Sequence, residues 1–161
     1  MAVGEKLYPI VMAGVPLAGL LISKVIPIQV KVTAIAGQKK RGIDSFKVRV
    51  TLKNTGDLDI TDWSLDVYAV TVVSGTTYTH AIAYQNISIP VGQQVDLPSS
   101  TTYFEKQVAS TTPTGVYDCV VNVINAPVGQ SGKIVATKTV TGAWEVVEPV
   151  KSVDIVSVTV A

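Results

Sequence analysis

The sequence predicts an all-β chain folded as an antiparallel β-sandwich, carrying an apolar segment at its N-terminal end. Three observations predict it. Val, Thr, Ile and Tyr are abundant, and these residues suit a pleated, half-buried surface. From about Gln29 onward apolar residues recur with a period of two, and no long helical period follows residue 30. Turn residues then punctuate short strands at regular spacing, the pattern of a sandwich or barrel. A chain of 161 residues suits one domain plus an appendage and can bury a core without a disulfide or metal staple. The reading divides it into an arm, residues 1–28, and a sandwich, residues 29–161.

The arm comes first. Leu7 to Ser23 reads LYPIVMAGVPLAGLLIS, seventeen residues without a charge. As a helix it would reach roughly 25 Å, slightly less than a hydrocarbon core of about 30 Å. Lys24, by snorkelling, would extend the apolar stretch to about Ile28. Pro9 fits a first helical turn, Pro16 predicts a kink, and Pro27 predicts the end of any helix. Ala13, Gly14, Ala18 and Gly19 are small residues of the kind that let helices approach closely in lipid. Leu7, Ile10, Val11, Leu17, Leu20, Leu21 and Ile22 are the candidate membrane or assembly contacts. A cleaved leader fits less well, because the only A-x-A site, Ala34-Ile35-Ala36, lies past Lys24 and Lys31. Lys24, Lys31, Lys39, Lys40 and Arg41 all follow the segment, which would place the β-domain on the inner side of a membrane. That polarity suits a subunit built into an assembly better than a module displayed on a cell.

The strands follow in order. Residues 28–36 form an apolar first strand. Phe46, Val48, Val50 and Leu52 alternate with Lys47, Arg49, Thr51 and Lys53, giving one core face and one wet face. Asn54-Thr55-Gly56 turns the chain. Trp63 to Val73 is the next strand, with Trp63, Leu65, Val67 and Ala69 expected inward. Ser74-Gly75 breaks it before Tyr78–Tyr84, a hairpin signature. Pro90-Val91-Gly92 and Pro98-Ser99-Ser100 mark further turns. After Pro113-Thr114-Gly115, Tyr117, Cys119, Val121 and Val123 alternate. Gly129-Gln130-Ser131-Gly132 is another turn, followed by strands at Lys133–Val140 and Ala143–Val147. Val153–Val160 is expected to close the chain as a strand, paired in its own domain or donated to a neighbour.

The runs FKVRVTLKNTGDLDITDWSLDVYAV, ISIPVGQQVDL and TPTGVYDCVVNV resemble the CARDB and related immunoglobulin-like modules of bacterial and archaeal surface and virion proteins. In those modules a strand ends in an N-x-G turn, a middle strand follows a P-x-G turn, and a late strand carries G-x-Y. Residues 28–147 carry the likeness. It implies an immunoglobulin-like sandwich, with a jelly-roll-like one as the other arrangement, and it brings no functional residues. Gly115-Val116-Tyr117-Asp118-Cys119 also resembles a tyrosine corner, in which a Tyr sits two residues before a Cys. With Cys119 the single cysteine no intrachain disulfide forms, and Trp63 is expected to fill the core instead.

Chemistry is sparse. The net charge of +1 argues against a sequence-specific nucleic-acid partner. Only 16% of residues are charged, so part of the apolar excess is expected to face lipid or neighbouring subunits. His80, the single histidine, is expected on an exposed hairpin strand, and Cys119 in the core, where thiols are inert. Gly129–Lys133 superficially looks like a phosphate loop, but Pro127 occupies the upstream glycine position and no helix follows. Asp57, Asp59 and Asp62, with Asp66 beyond them, are the best candidates for a Ca²⁺ site, against the plainer reading of a solvated turn. Lys39, Lys40 and Arg41 form a basic loop that could meet acidic headgroups or packaged nucleic acid, against the plainer reading of a polar hairpin tip. Asn86-Ile87-Ser88 is a glycosylation sequon. No cofactor and no catalysis are expected.

The expected role is therefore a non-enzymatic structural subunit of a virion or extracellular filament. It would self-assemble with copies of itself and contact a membrane or neighbouring subunits through residues 7–28. The rival expectation is a membrane-anchored cell-surface adhesion or binding module.

Overall fold

A computed structural model describes residues 27–152 together with 157, 159 and 160. Among the described residues every regular element is a strand: β1 (Ile28–Ala34), β2 (Gln38–Lys40), β3 (Ser45–Asn54), β4 (Ile60–Val73), β5 (Thr76–Ile89), β6 (Gln94–Leu97), β7 (Phe104–Gln107), β8 (Gly115–Ile124) and β9 (Ile134–Val147). They form two sheets. In the first, β3 is flanked by β1 on one side and by β6 and β7, end to end, on the other. The second runs β2-β9-β8-β4-β5. The all-β sandwich expected from the periodicity is thus present, and its strand order is that of an immunoglobulin-like fold. All pairings are antiparallel except β2 with β9, which is parallel. After β1 the chain leaves the first sheet and joins the edge of the second, so β2 runs alongside the last strand.

The core follows from the alternation. Phe46, Val48, Val50 and Leu52 of β3 face Leu65, Val67 and Ala69 of β4 and Tyr117, Cys119, Val121 and Val123 of β8, all of them at or below 1% exposure. Phe46 bridges the sheets. Its ring centroid lies 4.8 Å from Trp144 and 5.6 Å from Tyr117, both tilted contacts of the sort aromatic quadrupoles favour. The Tyr117 hydroxyl donates to the Pro113 carbonyl, 2.9 Å away, which is the hydrogen bond that defines a tyrosine corner.

Trp144, not Trp63, is the tryptophan fully buried in the core. Trp63 is only partly buried, because β4 is irregular at its start. Asp62 has φ of +54°, and the β4–β5 register shifts between Ile60 and Trp63. Trp63 stays in phase with Leu65, opposite buried Ile87, and packs against the core at its margin. A second departure concerns the expected strands Lys133–Val140 and Ala143–Val147, in whose place one continuous strand, β9, runs from Ile134 to Val147. Gly142, at φ +62°, is held within it by a hydrogen bond from its N–H to Asp118 Oδ1 at 2.8 Å. The β4–β5 hairpin turns on Ser74 and Gly75, both at positive φ, a two-residue turn of the primed kind whose twist matches that of its strands. Of the expected closing strand, residues 153–156, 158 and 161 lie outside the described residues, and Ser157, Thr159 and Val160 are exposed and belong to no strand.

Candidate functional site

The arm's candidate contacts, Leu7, Ile10, Val11, Leu17, Leu20, Leu21 and Ile22, lie outside the described residues. Among those described, no helix is long and apolar enough to cross a membrane. The structure does describe the point where the arm meets the sandwich. Ile28 already pairs with Asn54 and is 5% exposed, so it is packed as part of the first sheet. One residue earlier, the Pro27 carbonyl accepts a hydrogen bond from Thr55 N–H at 3.0 Å. Gly56 packs against Pro27 so closely that a Cβ there would fall 2.6 Å from the proline Cβ. The N-x-G turn therefore clasps the incoming chain.

Asn54 organises that clasp. It is fully buried. Its Nδ2 donates to the carbonyls of Leu58 and Ile89, each at 2.9 Å, and its Oδ1 accepts from Gly56 N–H at 2.9 Å. Its backbone N–H donates to the Gln93 carbonyl and its own carbonyl accepts from Gly92 N–H, both at 3.0 Å. Buried amides are tolerated when so fully paired. Read from sequence, Asn54 marked only a turn.

The three aspartates do not converge. Asp59 Oδ1 accepts from Val91 N–H at 2.9 Å, and Asp62 sits in β4 with its backbone N–H donating to Ser88 Oγ at 3.2 Å. Among the described residues no three His, Cys, Asp or Glu side chains are placed to hold a metal ion, Asp57 included. Asp66 lies on the outer face of β4 and accepts a hydrogen bond from the Tyr68 hydroxyl at 3.0 Å. Burial and this carboxylate together push the Tyr68 hydroxyl pKa well up. Tyr84 meets Tyr68 edge-on, and beside it a cleft of about 260 Å³ opens against Pro127, Val128 and Gln130.

Lys39, Lys40 and Arg41 do not form a hairpin tip. Lys39 and Lys40 lie on β2, paired with Val146 and Val147, and Arg41 follows them. The Arg41 guanidinium grips the Glu148 carboxylate through two nitrogens and donates a third hydrogen bond, at 2.9 Å, to the Thr112 carbonyl. A fork of this kind fixes geometry as well as charge. Lys39 and Lys40 remain as the cationic side chains on this edge.

His80 departs from the sequence reading. It is partly buried, its ring 5.8 Å from Tyr117, and its Nε2 has no hydrogen-bond partner. Its position opposite Ala69 points it into the sandwich, which hairpin periodicity could not reveal across the β5 irregularity at Ile82, opposite Val67 and Tyr68. Burial, and secondly the charge of Lys106, lower its pKa. Cys119 is fully buried, and burial pushes its thiol up to about 12. Asn86 is exposed, with its Oδ1 accepting from Val128 N–H at 2.7 Å.

No protein family matches the chain, and no curated protein matches it. Among solved structures it is similar to a β-glucosidase from Listeria innocua, at 17% identity and a TM-score of 0.46, over 74% of this chain and 16% of that one. It is also similar to a sporulation control protein from Bacillus subtilis, at 16% identity and a TM-score of 0.44, over 74% of this chain and 49% of that one. The chain thus spans less than half the length of these proteins. Likenesses this distant say nothing of its activity.

Proposed function

We propose that the chain is a structural subunit of a virion or extracellular filament, in which the apolar arm inserts into a membrane or a subunit interface and the sandwich packs against copies of itself. The observation that carries this reading is the junction at Pro27. The uncharged run Leu7–Ser23 is followed four residues on by the clasped Pro27 and five on by the buried first strand residue Ile28, with only Lys24, Val25 and Ile26 before the proline. An anchor meant to let a binding head sample space needs slack, usually a Gly/Ser- or Pro-rich tether. A subunit that must hold a fixed attitude toward its neighbours needs the opposite. Lys39 and Lys40 would then face acidic headgroups or nucleic acid within the assembly.

The test compares the full chain with one carrying Leu17→Asp and Leu21→Asp, by light scattering and electron microscopy with and without detergent. Ordered particles or filaments from the unaltered chain, and their loss in the variant, support the structural reading. A chain that is merely monomeric in detergent micelles makes the membrane-anchored adhesion or binding module the better account.

A further inference from the structure

A sheet edge exposes a row of unpaired backbone N–H and C=O groups, and proteins ordinarily protect it with charge, proline or brevity. Three of this sandwich's edges are protected so. β1 carries Lys31, β2 is three residues long with Lys39 and Lys40, and the β6–β7 edge carries Asp96, Glu105 and Lys106. β5 is not. Its fourteen residues, TTYTHAIAYQNISI, contain no Asp, Glu, Lys, Arg, Pro or Gly, and among the described residues it pairs on one side only, with β4.

The irregularity opposite Val67–Tyr68 divides β5 into two regular stretches. In the first, Thr76, Thr77, Tyr78 and Thr79 are all exposed, inward- and outward-pointing alike, as is Val72 on the strand opposite. On its β4 side the tip is held to the sandwich, with Thr71 buried and its hydroxyl donating to the Val116 carbonyl at 2.6 Å, so the open side of this stretch is that of β5.

We infer that the Thr76–Ala81 stretch of β5 is a self-pairing edge, which joins the same stretch of a second copy as antiparallel strands and makes the two five-stranded sheets continuous. Charge decides the occupant. An edge without charge meets its own copy with no like-charge repulsion, whereas the charged edges would set Lys against Lys or Asp against Asp in the same arrangement. A two-fold contact also places Thr opposite Thr or Tyr, favourable cross-strand neighbours. This inference rests on the structural-subunit reading and specifies how its copies join.

The test is a single-cysteine scan of the full chain from Thr76 to Ala81, with Gln85→Cys as the control. The buried thiol of Cys119 stays silent, so each introduced cysteine reports alone. A two-fold antiparallel pair sets only the residue on its axis directly opposite itself. Disulfide dimer yield is therefore expected to peak sharply at one or two adjacent positions between Thr77 and His80 and to fall on both sides. Separately, Thr77→Lys with Thr79→Lys, both at exposed positions, is expected to weaken self-association at least tenfold by sedimentation while leaving the circular dichroism spectrum unchanged. A flat yield, a peak at Gln85, or undiminished assembly of the lysine variant overturns the edge while leaving the structural reading in place. A full chain that stays monomeric in every condition overturns both.

Discussion

The indole Nε1 of Trp144 donates a hydrogen bond to the carbonyl oxygen of Ile35, 3.0 Å away and 109 residues earlier in the chain. It fastens the last strand of the second sheet to the point where the chain crosses over from the first. The same ring packs at a tilt against Phe46, so one side chain satisfies a polar group at the crossover and fills the space between the sheets.

Trp144→Phe is expected to cost about 1–3 kcal/mol, through the unpaired Ile35 carbonyl and the lost volume, and Trp144→Ala about 3–5 kcal/mol. Trp63→Ala, at the rim, is expected to cost clearly less. Urea unfolding of the three variants checks this, and a Trp63→Ala midpoint below that of Trp144→Ala would show that the core is organised differently.

Asn54→Ala strips hydrogen bonds from two carbonyls and an N–H beneath the Pro90–Gly92 turn. The expected loss is roughly 3 kcal/mol, since buried polar groups left alone cost about 1–3 kcal/mol each and water can reach some of them. Asn54→Asp keeps the shape but aims a carboxylate at two carbonyl oxygens, so it is expected to be no better tolerated. If either variant unfolds at the unaltered protein's denaturant midpoint, the hub is not structural.

Gly56→Ala pushes a methyl group into Pro27. Overpacking of this sort costs about 1–3 kcal/mol. Combining it with Pro27→Gly removes the opposing atoms, so the double variant is expected to recover part of the stability lost in Gly56→Ala. Additive losses in that double-mutant cycle would mean the two residues do not touch.

His80 makes stability depend on pH. Its pKa is lowered in the folded protein, so the unfolded chain binds the proton more readily and stability rises with pH through that interval. The contribution is complete above the unfolded value of about 6.5 and is lost as pH falls from there toward the folded one. Unfolding midpoints at pH 7.5 and 5.5 are expected to differ more for the unaltered protein than for His80→Phe. Equal differences would assign the pH dependence elsewhere.

What could be read from the sequence was local. Alternation in β3 and β8, the Ser74-Gly75 hairpin and the tyrosine corner each depend on neighbours within a few residues. The misread features depend on partners far along the chain. Trp144 sits inward because β9 pairs with β8 and lies near Ile35, which no window around Trp144 contains. Trp63 keeps the inward phase of Leu65 and Val67, but it ends that run beside the bulge at Asp62 and is covered only in part, which the alternation alone does not show. Arg41 looked like part of an open basic patch because its partner Glu148 is 107 residues away. Of the candidate surfaces, the uncharged arm and the Lys39–Lys40 pair were visible in composition. The unprotected edge was not, because it emerges only when all four sheet margins are compared.

The clasp at Pro27 has a mechanical meaning. β1 is held to β3 by seven facing residue pairs beginning at Ile28. A pull transmitted through residue 27 along β1 would load that ladder in shear, stressing its hydrogen bonds together rather than peeling them one after another. Tension on the arm would thus meet the sandwich where it resists extension best.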